Sequence, residues 1–139
     1  MALADAKAQP LTKRKLKLMI CDDSNIIRRK IERELQLDNL EVIATAANGR
    51  LAVEAFRKEP ADVVTMDITM PEMDGIECVE NLVKIKPDVL ILVISALSDK
   101  ATAIEALKKG ANGFLCKPFT DRQLTEALEE LLRGANHVD

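Results

Sequence analysis

The stretch Val63-Val64-Thr65-Met66-Asp67-Ile68-Thr69-Met70-Pro71-Glu72-Met73-Asp74-Gly75 decides the fold. An apolar strand runs into the Asp67 carboxylate, a loop containing Pro71 follows, and Gly75 supplies a turn. Open α/β sheets place their chemistry outside the carboxyl ends of their strands, where Asp67 would sit. Asp is also a common strand terminator. Taken alone, this stretch leaves both readings open, and the other strand ends have to separate them.

Upstream, residues 61–66 form the body of this strand and residues 41–46 a preceding one. Between them Asn48-Gly49 opens a helix expected to bury Leu51 and Ala55, with Phe56 as a further inward position, and Pro60 closes it. Residues 16–21 make the first strand, ending at Asp22-Asp23-Ser24. Ser24 is an expected N-cap, followed by Ile27, Ile31 and Leu35 at helical spacing. Arg28–Glu32 and Lys30–Glu34 are spaced as i,i+4 pairs on the solvent side.

Downstream, Ile76, Val79, Leu82 and Val83 mark the inner face of a helix that stops before Pro87. Residues 89–94 are six consecutive apolar residues, as in a strand covered on both faces, and lead to Ser95-Ala96. A helix over about 99–109 is expected to end at Gly110. Residues 113–116 form the fifth strand, ending in Lys117-Pro118. Thr120-x-x-Gln123 is a capping box opening a helix with Leu124, Ala127, Leu128 and Leu131 on one side and Gly134 at its end.

Five strand–helix units in succession imply a doubly wound parallel α/β sheet with helices on both faces. Five strands in one small domain suit the flavodoxin-like order 2-1-3-4-5. The domain is placed at residues 16–133, between a basic arm over 1–15 and a tail over 134–139. The chain has 139 residues, 47% apolar and 31% charged, as in an ordinary globule with a core large enough to need no staples. Aromatics are only 2%, so that core is aliphatic.

A net charge of −3 argues against direct nucleic-acid binding. No apolar run approaches the length of a membrane span, and no signal peptide is visible. Cys21, Cys78 and Cys116 form no Cys-x-x-Cys pair, and His137 lies in the tail. The cysteines therefore point to neither zinc nor disulfides, and a cytoplasmic setting is expected.

Under that strand order, Asp22-Asp23, Asp67, Ser95 and Lys117 end the four strands that share one crevice. The second strand, at the edge, contributes only Ala46-Ala47. Three carboxylates together would force one to bind a proton unless cations compensate. An all-oxygen ligand set selects a hard ion, Mg2+, with Mn2+ as the substitute. Lys117 adds an ammonium and Ser95 a hydroxyl. These are the parts needed to move a phosphoryl group onto Asp67, a step governed by positioning and charge neutralisation.

The segments Asp22-Asp23-Ser24, Met66 through Gly75, Ser95-Ala96 and Gly113 through Phe119 together resemble the receiver domain of two-component response regulators, over about residues 16–133. Among single-domain receivers, residues 65–76 look most similar to the chemotaxis regulator CheY. The resemblance implies that Asp67 accepts phosphate from a histidine kinase or a histidine phosphotransfer protein. It also implies Mg2+ held by Asp22, Asp23, Asp67 and the backbone carbonyl of Thr69, with Lys117 on the phosphate and Ser95 moving to bind it. Lys117-Pro118 is expected to be cis. The implied output is contact with a downstream protein through the face of the fourth helix, fifth strand and fifth helix, by a monomer that touches neither nucleic acid nor membrane.

Phe114 occupies the family's aromatic switch position, often Tyr. Lacking a polar tip, it is expected to favour the buried position and bias the resting population towards the active form. Thr69 and Leu97 flank the site and offer no acid or amide to orient water, which implies slow self-dephosphorylation. Residues 108–113 lack the acidic pair common in dimerising, DNA-binding regulators. The alternatives are a receiver piece of a larger regulator, a phosphorelay intermediate and, more remotely, an aspartate-nucleophile Mg-dependent phosphatase. The last would need a second carboxylate two residues after Asp67, where this chain has Thr69. The chain is accordingly expected to catalyse only its own phosphoryl transfer and slow dephosphorylation.

Overall fold

The computed structural model describes residues 14–35, 37–68 and 75–136. Its elements alternate as β1 (Leu16–Cys21), α1 (Asn25–Glu34), β2 (Leu40–Ala46), α2 (Gly49–Lys58), β3 (Val63–Asp67), α3 (Gly75–Ile85), β4 (Leu90–Ala96), a 3-10 turn (Leu97–Asp99), α4 (Lys100–Lys108), β5 (Gly113–Lys117) and α5 (Asp121–Asn136). The five strands are parallel and lie in the order 2-1-3-4-5, as expected.

Side chains of a strand alternate between faces, and this alternation divides the core into two aliphatic layers. Leu16, Leu18 and Ile20 of β1 pack with Val63, Leu92 and Ile94 beneath α1 and α5, against Ile31, Leu124 and Leu128. Met19 and Cys21 pack on the other face with Val64, Met66, Ile91 and Val93, beneath Phe56, Val79, Leu82 and the alanines of α4. Burying a large aliphatic side chain contributes about 2 kcal/mol, so the two layers are what hold the rims of the sheet in place.

Local signals fix the helix starts. Ser24 Oγ accepts from the Ile27 N–H at 3.3 Å, and Asn48 Oδ1 accepts from the Leu51 N–H at 2.8 Å. The Thr120–Gln123 capping box forms in both directions, at 2.9 and 3.1 Å. Gly110 has φ +127°, where an added Cβ would meet Val83 Cγ2 at 2.8 Å. Glycine is therefore required at the end of α4, both for its backbone and for its lack of bulk.

Several expectations are corrected. Leu51 does not face the core: α2 buries Gly49, Ala52, Val53 and Phe56, a proper i, i+3, i+4, i+7 stripe, and leaves Leu51 39% exposed. The expected partner of Arg28 was Glu32, but the guanidinium turns back to the Asp22 carbonyl. Lys30–Glu34 does form, at 2.8 Å. Helix α5 runs through Gly134 to Asn136, because nothing approaches within 4 Å of where a Gly134 side chain would be and no turn interrupts the ladder there. Strand β4 extends past residue 94 to include Ser95 and Ala96, and β3 ends on Asp67 itself. Residues 1–13 of the arm, Thr69 with Pro71 in the loop after β3, and His137 in the tail lie outside the described residues, as does the side chain of Leu97.

Candidate functional site

The carboxyl ends of β1, β3, β4 and β5 bring the sequence-predicted residues together. Asp22 follows Cys21 directly, and its N–H donates to the Ala46 carbonyl at 3.0 Å, which holds the β1 exit against β2. Asp22 Oδ1 accepts from the Ser24 N–H at 2.8 Å, in a turn that leads straight into α1. Asp67 is the last residue of β3, paired in register with Ile94, and Ser95 is the next residue of β4. Lys117 is the last residue of β5, in register with Ala96. The Lys117-Pro118 peptide is cis, as expected.

The polar groups are buried to an unusual degree. Asp22 is 1% exposed, Asp67 2% and Ser95 1%, whereas Asp23 faces solvent. Asp22, Asp23 and Asp67 each present a carboxylate oxygen, and these oxygens all lie within 4.8 Å of one another. The Lys117 ammonium reaches Asp22 Oδ2 at 3.0 Å and Asp67 Oδ2 at 3.5 Å.

Among the described residues one ammonium lies among three carboxylates, and Asp22 and Lys117 both shift from their ordinary values. Burial pushes the Asp22 carboxyl above its ordinary value, helped by the nearby Asp67 charge. The Ser24 N–H and the Lys117 ammonium oppose that rise without cancelling it. Burial works to lower the Lys117 ammonium, but Asp22 and then Asp67 outweigh it and leave its pKa raised. Lys117 is thus charged at neutral pH, and it does not fully offset the cost of burying the Asp22 carboxylate.

A divalent cation fits this donor set. The ligand atoms are all oxygen, which suits a hard ion. Asp22 Oδ2 is buried, and among the described residues the Lys117 ammonium at 3.0 Å is the group that meets it. Ser95 Oγ is also buried without a hydrogen-bond partner among the described residues. Buried polar atoms are rarely left so, and each one needs an explanation. An ion on Asp22, Asp23 and Asp67, with a ligand oxygen near Ser95, would supply it. Thr69, expected to contribute its carbonyl, lies outside the described residues.

Packing explains how close the chain is drawn at this rim. Gly75 opens α3 with its N–H donating to the Ile68 carbonyl at 3.2 Å. A Cβ there would stand 2.2 Å from Ile68 Cα and 2.9 Å from the Asp67 carbonyl oxygen. Only glycine lets α3 start directly against the peptide that carries Asp67.

Phe114 departs from expectation. Its ring is 38% exposed instead of buried. The reason is topological: β5 is an edge strand, and α4 packs mainly on β4 and α3 through the small side chains Ala103 and Ala106. Ile104 of α4 is exposed as well.

Arg28 and Phe119 were missed as parts of the site. Arg28 Nη1 donates to the Asp22 carbonyl at 2.6 Å. Phe119 is buried beside the rim, with the Lys30 ammonium 5.6 Å from its ring centroid. The available sequence signal for Arg28 was the first turn of α1, which has no acidic residue and a basic one against the helix dipole.

Comparison with known proteins agrees with this geometry. Residues 18–129 match the family described as response regulator receiver domain. The chain is 41% identical over 115 residues to the chemotaxis protein CheY of Thermotoga maritima, covering 83% of this chain and 96% of that one. It is 38% identical over 116 residues to CheY of Bacillus subtilis, covering 84% of this chain and 97% of that one. Among solved structures, the response regulator domain of Thermotoga maritima CheB superposes with TM-score 0.77 at 34% identity, over 91% of this chain and 99% of that one. CheY in the CheX-CheY-BeF3-Mg+2 complex from Borrelia burgdorferi superposes with TM-score 0.78 at 30% identity, over 86% of each chain. The chain therefore belongs to the response regulator receiver domain family, and phosphorylation-dependent two-component signalling is its function.

Proposed function

We propose that Asp67 is the phosphoacceptor of this receiver, and that the phosphorylated form signals by protein contact in a chemotaxis pathway. The observation that carries the reading is the charge geometry at the rim. A 2%-exposed carboxylate at the end of β3 lies among two further carboxylates and 3.5 Å from an ammonium. In this reading an Asp67 oxygen attacks the phosphorus of a phosphohistidine, the phosphorus–nitrogen bond breaks, and the imidazole leaves with a proton. Lys117 holds a phosphoryl oxygen and Ser95 Oγ donates to another. Asp22, Asp23 and Asp67 would hold Mg2+, with the Thr69 carbonyl that the family resemblance implies, and the ion when bound would supply charge neutralisation for the phosphoryl oxygens.

The donor is a histidine kinase or a histidine phosphotransfer protein. The downstream protein docks on the α4–β5–α5 face, a reading supported by the exposed Ile104 and Phe114. A partner of the CheX kind is suggested by the Borrelia burgdorferi complex. The exposed Phe114 ring removes the support for a resting population biased towards the active form. Thr69 and Leu97 supply no group to orient water, so the phosphoryl group is lost slowly, and Thr69→Asn is expected to change the decay. The receiver domain spans residues 16–133 and acts as a cytoplasmic monomer. Free cysteines, and the lack of any helix among the described residues long and apolar enough to cross a membrane, accord with this setting. Its chemistry is confined to its own phosphoryl transfer and hydrolysis.

The test is intact mass after incubation with acetyl phosphate and Mg2+. The wild type should gain one phosphoryl group and Asp67→Asn none. Turnover of p-nitrophenyl phosphate, without a stable adduct, would support the phosphatase reading instead.

A further inference from the structure

Arg28 sits one turn into α1, where its side chain points back towards the start of the helix, as helical side chains do. The i,i+4 partner available to it on the solvent side is Glu32. The guanidinium, partly exposed, turns away from that partner towards the main chain. Nη1 donates to the Asp22 carbonyl at 2.6 Å and Nη2 to Asn25 Oδ1 at 3.2 Å, spanning the junction between β1 and α1.

The contact matters because of what it completes. The Asp22 N–H is held by the Ala46 carbonyl at 3.0 Å, and Oδ1 by the Ser24 N–H at 2.8 Å. Arg28 holds the remaining main-chain atom, the carbonyl oxygen. With both main-chain groups and one carboxylate oxygen fixed, only Oδ2 is left facing Lys117 and the acid cluster. The Asp22 carbonyl also belongs to the peptide that leads into Asp23. Asp23 is the exposed member of the trio. Rotation of that peptide would carry the Asp23 carboxylate away from Asp22 and Asp67. A short, charge-assisted hydrogen bond to the carbonyl opposes such rotation.

We propose that Arg28 is a positioning residue for the divalent-cation site. By fixing the Asp22–Asp23 peptide it sets the distance between their carboxylates, and hence the affinity for Mg2+. The proposal rests on reading the acid cluster as a Mg2+ site. Partners that orient metal ligands without touching the metal typically govern affinity by about 10- to 100-fold.

The experiment is calorimetric titration of Mg2+ into the full chain without phosphodonor, on wild type, Arg28→Gln, Arg28→Lys and Glu32→Gln. Arg28→Gln should bind Mg2+ at least about tenfold more weakly. Arg28→Lys, which keeps a charged donor, should fall between it and wild type, and Glu32→Gln should match wild type. In the metal-free protein, amide resonances of Asp23 and Ser24 should shift in Arg28→Gln while those of β3 and β4 stay in place. Wild-type affinity in Arg28→Gln, or Arg28→Lys binding no better than Arg28→Gln, would overturn the proposal. Absence of Mg2+ binding by the wild type would instead remove the reading on which it rests.

Discussion

At the amino ends of the strands, Lys17 meets Glu59 at 3.0 Å, and Lys86 meets Asp88 at 2.9 Å and Asp62 at 3.7 Å. At the carboxyl ends, Lys117 faces both Asp22 and Asp67, with Asp23 beside them. The amino-end groups are partly or largely solvent-exposed, while Asp22 and Asp67 are almost wholly buried. Solvent reaches both partners of the amino-end pairs, whereas it scarcely reaches Asp22 and Asp67. Charge at the amino end can therefore be rearranged at little cost. Charge at the carboxyl end is buried and crowded, and under the proposed function it is what a metal and a phosphoryl group would meet. A hollow of about 690 Å3 also lies at the amino end, lined by Arg14, Asp62, Lys86, Asp88 and apolar neighbours. Its lining carries charges of both signs, far from the acid cluster at the carboxyl ends.

The largest effect should follow from removing the one cation of the buried rim. Lys117→Ala should slow phosphorylation by acetyl phosphate about 100-fold or more, as loss of a preorganised charge donor does elsewhere. Phosphorylation within a few-fold of wild type would mean that the ammonium is structural, and the contrast between the rims would weaken. Next is Gly75→Ala, which sets a Cβ 2.2 Å from Ile68 Cα. Backbone atoms cannot swing aside as a side chain does, so urea unfolding should show a loss of about 3 kcal/mol. A loss below about 0.5 kcal/mol would show that α3 can retreat from the site freely.

Asp22→Asn sharpens the comparison because it should stabilise while it disables. In the folded protein burial raises the Asp22 pKa, with Asp67 adding to the rise. The native state therefore holds this proton to higher pH than the unfolded state does. Between the ordinary carboxylate range and the raised value, stability falls as pH rises, and the full penalty persists above it. Metal-free Asp22→Asn should thus be more stable than wild type at neutral pH by about 1 kcal/mol, with the difference shrinking as pH falls through that window. The same variant should lose Mg2+ binding. Equal stability at all pH values would show that Lys117 already compensates Asp22.

Much of this contrast was legible in the sequence. Apolar runs ending in Asp, Ser or Lys located four of the strand ends, and the alternation of strands with helices fixed the fold class. The acid cluster followed once parallel strands were set side by side. Arg28 could not be placed this way, because i,i+4 spacing records which groups lie near one another and not which acceptor a long side chain prefers. The α2 phase was misjudged because Leu51 is the first large apolar residue of that helix. The buried stripe actually starts from Gly49, whose lack of a side chain gives no periodic signal. Phe114 was expected to be buried because it stands at the family's aromatic switch position without the polar tip of a Tyr. Its exposure depends on α4 offering alanines next to an edge strand, a matter of which helix covers which strand.

The smallest effect belongs to the amino end, where it tests whether charge there is as dispensable as its exposure implies. Lys86 holds the Asp88 carboxyl below its ordinary value, although the Asp88 side chain is largely in water. A depressed folded pKa contributes stability above the unfolded value, and that contribution is lost as pH falls through the folded one. Solvent screening reduces it to the scale of exposed pairs, so Asp88→Asn should cost less than about 0.5 kcal/mol at neutral pH and nothing in strong acid. Phosphorylation kinetics should be unchanged. If Asp88→Asn slowed phosphorylation or cost several kcal/mol, the amino ends would be coupled to the site through the sheet. The independence of the two rims would then have to be given up.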